Sequence, residues 1–455
     1  MLRCLILLTW LVSLALNAPG QLSFDSVIQL LEGRSGAYAG AHPPLMSALL
    51  GFFDQIVPGT ALYLVLSSAL FYVPLCVLVG GTERRSAMNW LAGALLIFAL
   101  VTPLLLVYQG TVWKDVLFAN LSLSTFTCLI LAQRSDRPRA RIALVASAAI
   151  LGALAASARQ NGLIVGLFAA VALGVMMPAP YSMRRRATHA LVWALVAVGA
   201  HFATHAAIEV TAARPIGSGM SWGLTVLHRY DVAGIIANGG PPFPSSPVTS
   251  PESEHIVTAF RRDYDPSRVD SLMSNGEVAA YFREMNRVPG HWWRMVRDNP
   301  LAWLEHRAAV FRWMVAPPDV RRCLPVWLGV DGPDTALAAL GLEREVRPQD
   351  VALYTYAARW FETPLFVNAT WVLIALVLAG LICLRKAGRT GDMAVLAMLA
   401  SALAFTATFA LIGIACDVRY LFLLPVACCG ALAHLAHAAP QMQGEGEASA
   451  RSVGQ

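Results

Sequence analysis

Residues 88–161 read MNWLAGALLIFALVTPLLLVYQGTVWKDVLFANLSLSTFTCLILAQRSDRPRARIALVASAAILGALAASARQN, three apolar runs separated by short polar punctuation. Each run is long enough to cross a bilayer, which takes roughly 17 to 25 residues. Between the first two stands Trp113-Lys114-Asp115; between the second and third stand Arg134, Arg137, Arg139 and Arg141; after the third come Arg159, Gln160 and Asn161. Arginine clusters mark cytoplasmic loops. The stretch therefore predicts three spans, with Lys114 and Arg159 on the side opposite the four arginines.

Working outward, further apolar runs fall near 2–17, 60–80, 162–178, 188–210, 364–384, 393–415 and 419–437 beside those near 88–108, 115–132 and 142–158. The sequence predicts an all-α polytopic membrane protein of about ten transmembrane helices. The runs near 142–158 and 162–178 read either as two spans or as a broken, re-entrant pair interrupted at Arg159 to Asn161. Arg84 and Arg85, Arg184 to Arg186, and Arg385, Lys386 and Arg389 occupy alternate loops with the first cluster, so both termini are expected in the cytoplasm. Met1 to Leu16 reads as a signal peptide or a retained anchor; retention holds the following loop at the membrane.

Composition agrees. Of 455 residues 57% are hydrophobic and 14% charged, against roughly a quarter charged in soluble domains. The net charge of +6 lies in loop clusters and forms no basic face, which excludes nucleic acid as an expected partner. The 8 cysteines show no metal-binding spacing; Cys323 and Cys416 both fall outside and are candidates for pairing in an oxidising compartment.

The organisation expected is a transmembrane bundle over 1–210 with an outer loop at 18–59, a mostly helical soluble segment over 211–363, transmembrane helices over 364–438 and a cytoplasmic tail over 439–455. In the soluble segment Asp298 or Asn299 can cap a helix that starts at Pro300 and runs through Met314. Frequent Ala and Arg suggest a bacterial inner membrane, with a periplasmic outer segment and a role in the cell envelope.

The topology sorts the polar residues onto one face: Asp25, Glu32 and His42 in the first outer loop, then Lys114 and Asp115, Arg159, and finally Asp417 and Arg419. Each has a plain structural reading. Asp25 can cap a short helix through Val27 to Leu31; Trp113-Lys114-Asp115 can be a belt anchor, a snorkelling lysine and a helix cap; Arg159 and Asp417/Arg419 can be interfacial ion pairs. Their concurrence argues for chemistry. His201, His205 and Glu209 repeat at four-residue spacing, but residues eight apart lie roughly 12 Å apart along a helix, so at most two share a metal. Whether a divalent metal is used stays open.

Asp25, then a helix, then His42-Pro43-Pro44-Leu45 opening another, with the late Asp417-Val418-Arg419-Tyr420 and Pro425, resembles the GT-C class of membrane glycosyltransferases. The likeness is to its protein mannosyltransferase and lipid A aminoarabinose transferase branch. One departure is Ser26, where many members have a second acid; Glu32, Asp115 and Asp417 are candidates for that role. The resemblance implies sugar transfer from a polyprenyl phosphate carrier to a lipid, glycan or protein acceptor on the periplasmic side, with membrane lipids around the bundle. Asp25 is then the expected base, and His42, Lys114, Arg159 and Arg419 the expected groups for donor phosphate or sugar. The alternative function is a transporter or flippase of a lipid-linked or small polar substrate; a noncatalytic scaffold is a third.

Overall fold

In a computed structural model, the structure is described for residues 1–455 except 41, 81–85, 178–180, 217–218, 243–250, 274, 286, 385–389 and 438–455. The arginines expected at 84–85 and the basic cluster at 385–389 lie outside the described residues, as does the tail over 439–455.

The helices are, in order, α1 (Leu2–Asn17), α2 (Phe24–Ser35), α3 (Pro44–Ile56), α4 (Ala61–Leu78), α5 (Ala87–Val101), α6 (Pro103–Tyr108), α7 (Lys114–Arg134), α8 (Pro138–Ala158), α9 (Leu163–Val175) and α10 (Met183–Thr211). Then come α11 (Gly219–Ala237), α12 (Pro251–Asp263), α13 (Asp270–Met273), α14 (Gly276–Met285), α15 (His291–Asp298), α16 (Pro300–Val315), α17 (Asp334–Leu340) and α18 (Pro348–Ala358). The last described helices are α19 (Asn368–Cys383), α20 (Asp392–Ile412) and α21 (Leu423–Leu435). Among the described residues there is no β-strand, only isolated bridges.

Among the described residues six segments are long and apolar enough to cross a membrane: α4, α7, α8, α10, α20 and Val418–Leu435. The protein is thus a multi-pass, all-helical membrane protein. Four shorter apolar helices, α1, α5, α9 and α19, coincide with the remaining expected runs. The run near 88–108 breaks at Thr102, which is extended, because Pro103 has no N–H to continue the ladder. The run near 162–178 forms α9, whose 13 residues span only about 20 Å. Arg159 between α8 and α9 is extended, with φ −140° and ψ 145°.

The segment 211–363 divides. Residues from Val226 to Val310 close their own core around Tyr230, Phe260 and Phe282, whereas Trp313 to Phe361 join the core of the bundle. Asn299 and Pro300 start α16 where the sequence expects it. Trp292, beside the exposed Trp293, donates its indole N–H to buried Asp231 (2.8 Å), as does Trp303 (3.0 Å).

Helices α2 and α3 approach so closely that side chains are excluded between them. A Cβ at Gly33 would sit 2.0 Å from the carbonyl oxygen of Ser47, and one at Gly51 would sit 2.2 Å from that of Gly33. Backbone atoms cannot swing aside, so any substitution must part the helices. Gly33→Ala and Gly51→Ala are each expected to cost about 1 to 3 kcal/mol, read as a lower midpoint of thermal unfolding in lipid.

Candidate functional site

The site begins where the chain leaves α1. Gln21 exchanges backbone hydrogen bonds with the 110–112 segment, donating to Gly110 (2.9 Å) and accepting from Val112 (3.0 Å). This places the start of α2 beside the start of α7. Trp113 donates its indole N–H to Ser23 Oγ (2.9 Å), Ser23 Oγ lies 3.1 Å from Ser26 Oγ, and Ser26 Oγ donates to the Val112 carbonyl (2.6 Å). The amide of Ser23 completes the set by donating to Ser26 Oγ (3.2 Å).

Asp25 is consequently not the helix cap. Ser23 holds the N-cap position, Asp25 is the second helical residue, and its side chain remains 31% exposed. The signal in the sequence was Ser23 and Ser26, a polar pair at capping spacing. That pair also accounts for the missing second acid. Ser26 must donate to a carbonyl, which an ionised carboxylate cannot do. Ser26→Asp is expected to lose about 1 to 3 kcal/mol of stability and to gain no activity, measured by unfolding in lipid alongside turnover.

His42 lies across from Asp25, with Nε2 3.8 Å from Oδ1. Its Nδ1 is 2.9 Å from Lys114 Nζ. Burial and the neighbouring Lys114 charge push the imidazole pKa down to about 4. A neutral ring that accepts from Lys114 at Nδ1 is the tautomer with its proton on Nε2, the nitrogen nearer Asp25. Burial raises the Asp25 pKa, but Arg419, His42 and Lys114 outweigh it, and the carboxyl is held below its usual range.

Glu32 has hydrogen-bond partners of its own. It is buried, and its two oxygens accept from the Ala39 amide (2.9 Å) and Ser47 Oγ (2.8 Å). It fastens the loop that carries His42.

On the other side of Asp25, Arg419 Nη2 donates to Oδ2 (3.0 Å) while its Nε donates to Asp417 Oδ2 (3.2 Å). Asp115 Oδ2 is 3.9 Å from the same nitrogen, and Asp115 is ion-paired with Arg159. Asp115 is buried as the second residue of α7, so it is neither a cap nor exposed. Trp113 is likewise buried and is no belt anchor: the Arg419 guanidinium lies 4.9 Å from its ring. The Arg159 guanidinium lies within 5.6 Å of the ring centres of Phe405, Phe409 and Tyr420. These aromatic walls exclude water and strengthen the charges between them. Nothing in the sequence marks the two phenylalanines, which read as ordinary apolar residues of α20.

The structure thus gathers Asp25, His42, Lys114, Asp115, Arg159, Asp417 and Arg419 at one end of the bundle. Asp25 is the most open carboxylate of the three, at 31% exposure against 2% for Asp115 and 14% for Asp417. The basic ends of α7, α8 and α10 lie at the opposite end, since α7 runs from Lys114 to Arg134 and α8 returns from Pro138 to Arg159. Cys323 and Cys416 form a disulfide immediately before Asp417.

The His201, His205 and Glu209 set is not drawn into the site. His201 Nδ1 meets Ser157 Oγ (2.8 Å), the two imidazoles pack at 4.8 Å, and Glu209 is exposed. Among the described residues no three His, Cys, Asp or Glu side chains are grouped to hold a metal.

No family model matches the chain, and no curated protein matches it. Among solved structures it is similar to the archaeal oligosaccharyltransferase AglB from Archaeoglobus fulgidus, in complex with an inhibitory peptide and a dolichol-phosphate. Identity is 14% over 94% of this chain and 49% of that chain, with a TM-score of 0.37. The chain spans about half the length of that protein, and a likeness this loose carries neither fold nor activity across.

Proposed function

We propose that the protein is a membrane glycosyltransferase of the GT-C type that moves a sugar from a polyprenyl phosphate to an acceptor on the periplasmic face. The observation that carries this reading is the open Asp25 carboxylate set against His42-Lys114 on one side and Arg419 on the other. One acid for the acceptor and a set of cations for a departing phosphate are what such a transfer requires.

In the transfer, the acceptor O–H or N–H gives its proton to Asp25, its heteroatom bonds to the anomeric carbon, and the bond from that carbon to the carrier phosphate breaks. The bonding electrons leave with the phosphate, whose charge Arg419, Lys114 and Arg159 hold. A single carboxylate acting as base fits direct displacement with inversion. At rest Arg419 keeps Asp25 ionised; a phosphate that takes over Arg419 leaves Asp25 a stronger base. The disulfide between Cys323 and Cys416 favours an oxidising compartment for this face. Arginine-rich loops at the other end favour cytoplasmic termini in a bacterial inner membrane.

The test is transfer of label from radiolabelled polyprenyl-phosphate sugars to envelope lipid, glycan or protein acceptors by purified protein in lipid. Label that leaves the carrier supports the reading. Flux of the substrate across sealed proteoliposomes with no transfer of label would instead make the chain a transporter.

A further inference from the structure

A short antiparallel contact joins the outer segment to the strip that carries Asp417 and Arg419. The Cys416 amide donates to Ser267 O (2.8 Å), the Val269 amide donates to Ile414 O (2.9 Å), and Arg268 stands opposite Ala415. Directly opposed residues in such a pair share a face with the residue two positions along. Arg268 therefore shares its face with Ala415 and Asp417, and Asp417 is the partner of Arg419.

The local framework is firm. The Cys323–Cys416 disulfide ties in a third stretch of chain, and the carbonyl of neighbouring Arg322 accepts from the Arg268 guanidinium. Arg322 itself is neutralised by Asp265 and lies 5.1 Å from the Trp313 ring. Asp265 is further fixed by the Ser267 amide (2.8 Å) and, through its carbonyl, by Tyr230 (2.6 Å). Arg268 differs: among the described residues no carboxylate pairs with it. Its charge bears on Asp417, whose pKa burial raises. A guanidinium half-buried beside a charged site, hydrogen-bonded among the described residues to a carbonyl, has further donors in a fork suited to phosphate or carboxylate.

We propose that Arg268 binds a second anionic group of the substrates, next to the carrier phosphate held at Arg419. This rests on the transferase reading. The second anion is either the outer phosphate of a diphosphate-linked donor or an anionic group on the acceptor; both offer the same oxygens.

The experiment measures binding of polyprenyl monophosphate and polyprenyl diphosphate to the full-length protein in lipid nanodiscs. Wild type is compared with Arg268→Gln and the charge-retaining Arg268→Lys. If the donor supplies the anion, wild type binds the diphosphate about tenfold tighter than the monophosphate, and Arg268→Gln removes the difference. If the acceptor supplies it, the two carriers bind alike, and inorganic phosphate binds to wild type saturated with monophosphate but not to Arg268→Gln. In both cases the lost contact is weakened by salt in wild type and in Arg268→Lys but not in Arg268→Gln, a pattern that misfolding does not produce. Carrier binding with neither effect overturns the proposal and leaves the transferase reading standing. Failure of wild type to bind either carrier overturns both.

Discussion

Asp25→Asn is expected to lower sugar transfer by about 10²- to 10⁴-fold while leaving donor binding and thermal stability close to wild type. Asparagine keeps the size of the side chain and an oxygen for Arg419, and removes the negative charge together with the ability to take a proton; Arg419 retains Asp417 as its charged partner. The pH dependence sharpens the test. Asp25 is held below the usual carboxylate range chiefly because Arg419, His42 and Lys114 outweigh its burial. It should be ionised throughout the neutral range in the free enzyme, so the acid limb of kcat/KM lies below that range. Once a phosphate shares Arg419, the carboxyl should protonate more easily, and the acid limb of kcat should lie at higher pH than that of kcat/KM. Identical limbs would mean that the phosphate does not compete for Arg419.

The second large effect is at Arg419. Its guanidinium meets Asp25 through Nη2 and Asp417 through Nε, a forked arrangement that a lysine ammonium cannot reproduce. Arg419→Lys keeps the charge and is expected to fold, with about a 10²-fold loss in kcat/KM measured on a polyprenyl-phosphate sugar. Arg419→Ala is a different experiment. It withdraws the cation from Asp417 and from buried Asp115, and is expected to destabilise the protein by about 3 to 5 kcal/mol, visible as unfolding before any assay of activity.

Much of this arrangement was legible in the sequence because a membrane restricts the choices. Apolar length placed the helices, and the alternation of Arg-rich loops put Asp25, Lys114, Arg159 and Arg419 on one face before any contact was known. The finer assignments were not legible, since they depend on tertiary partners. Asp25 and Ser23 are equally good caps on paper; the Trp113 indole and the Val112 carbonyl decide in favour of the serines. Trp113 next to Lys114 has the composition of a belt anchor, yet it is buried, with its indole N–H on Ser23 Oγ, its ring edge-on to Tyr108 and the Arg419 guanidinium over it. Glu32 has the chemistry of a second acid, and only the folding of Ala39 and Ser47 onto its oxygens shows it to be occupied.

The division of 211–363 was hidden for a related reason. Proline and charge mark the whole segment as soluble, but Cys323, Val326 and Phe361 pack into the core of the bundle. No local pattern distinguishes a residue that covers its own domain from one that covers its neighbour.

The most direct test of the central claim is where a carrier lipid touches the protein. A polyprenyl phosphate bearing a photoreactive group beside the phosphate should be incubated with the protein in lipid nanodiscs, crosslinked, and mapped by peptide mass spectrometry. Adducts on His42, on Trp113 to Asp115 and on Asp417 to Tyr420, all competed away by unlabelled polyprenyl phosphate and reduced in Arg419→Lys, are the predicted result. Competed adducts at the opposite end of the bundle, around Arg134 and His434, would contradict it.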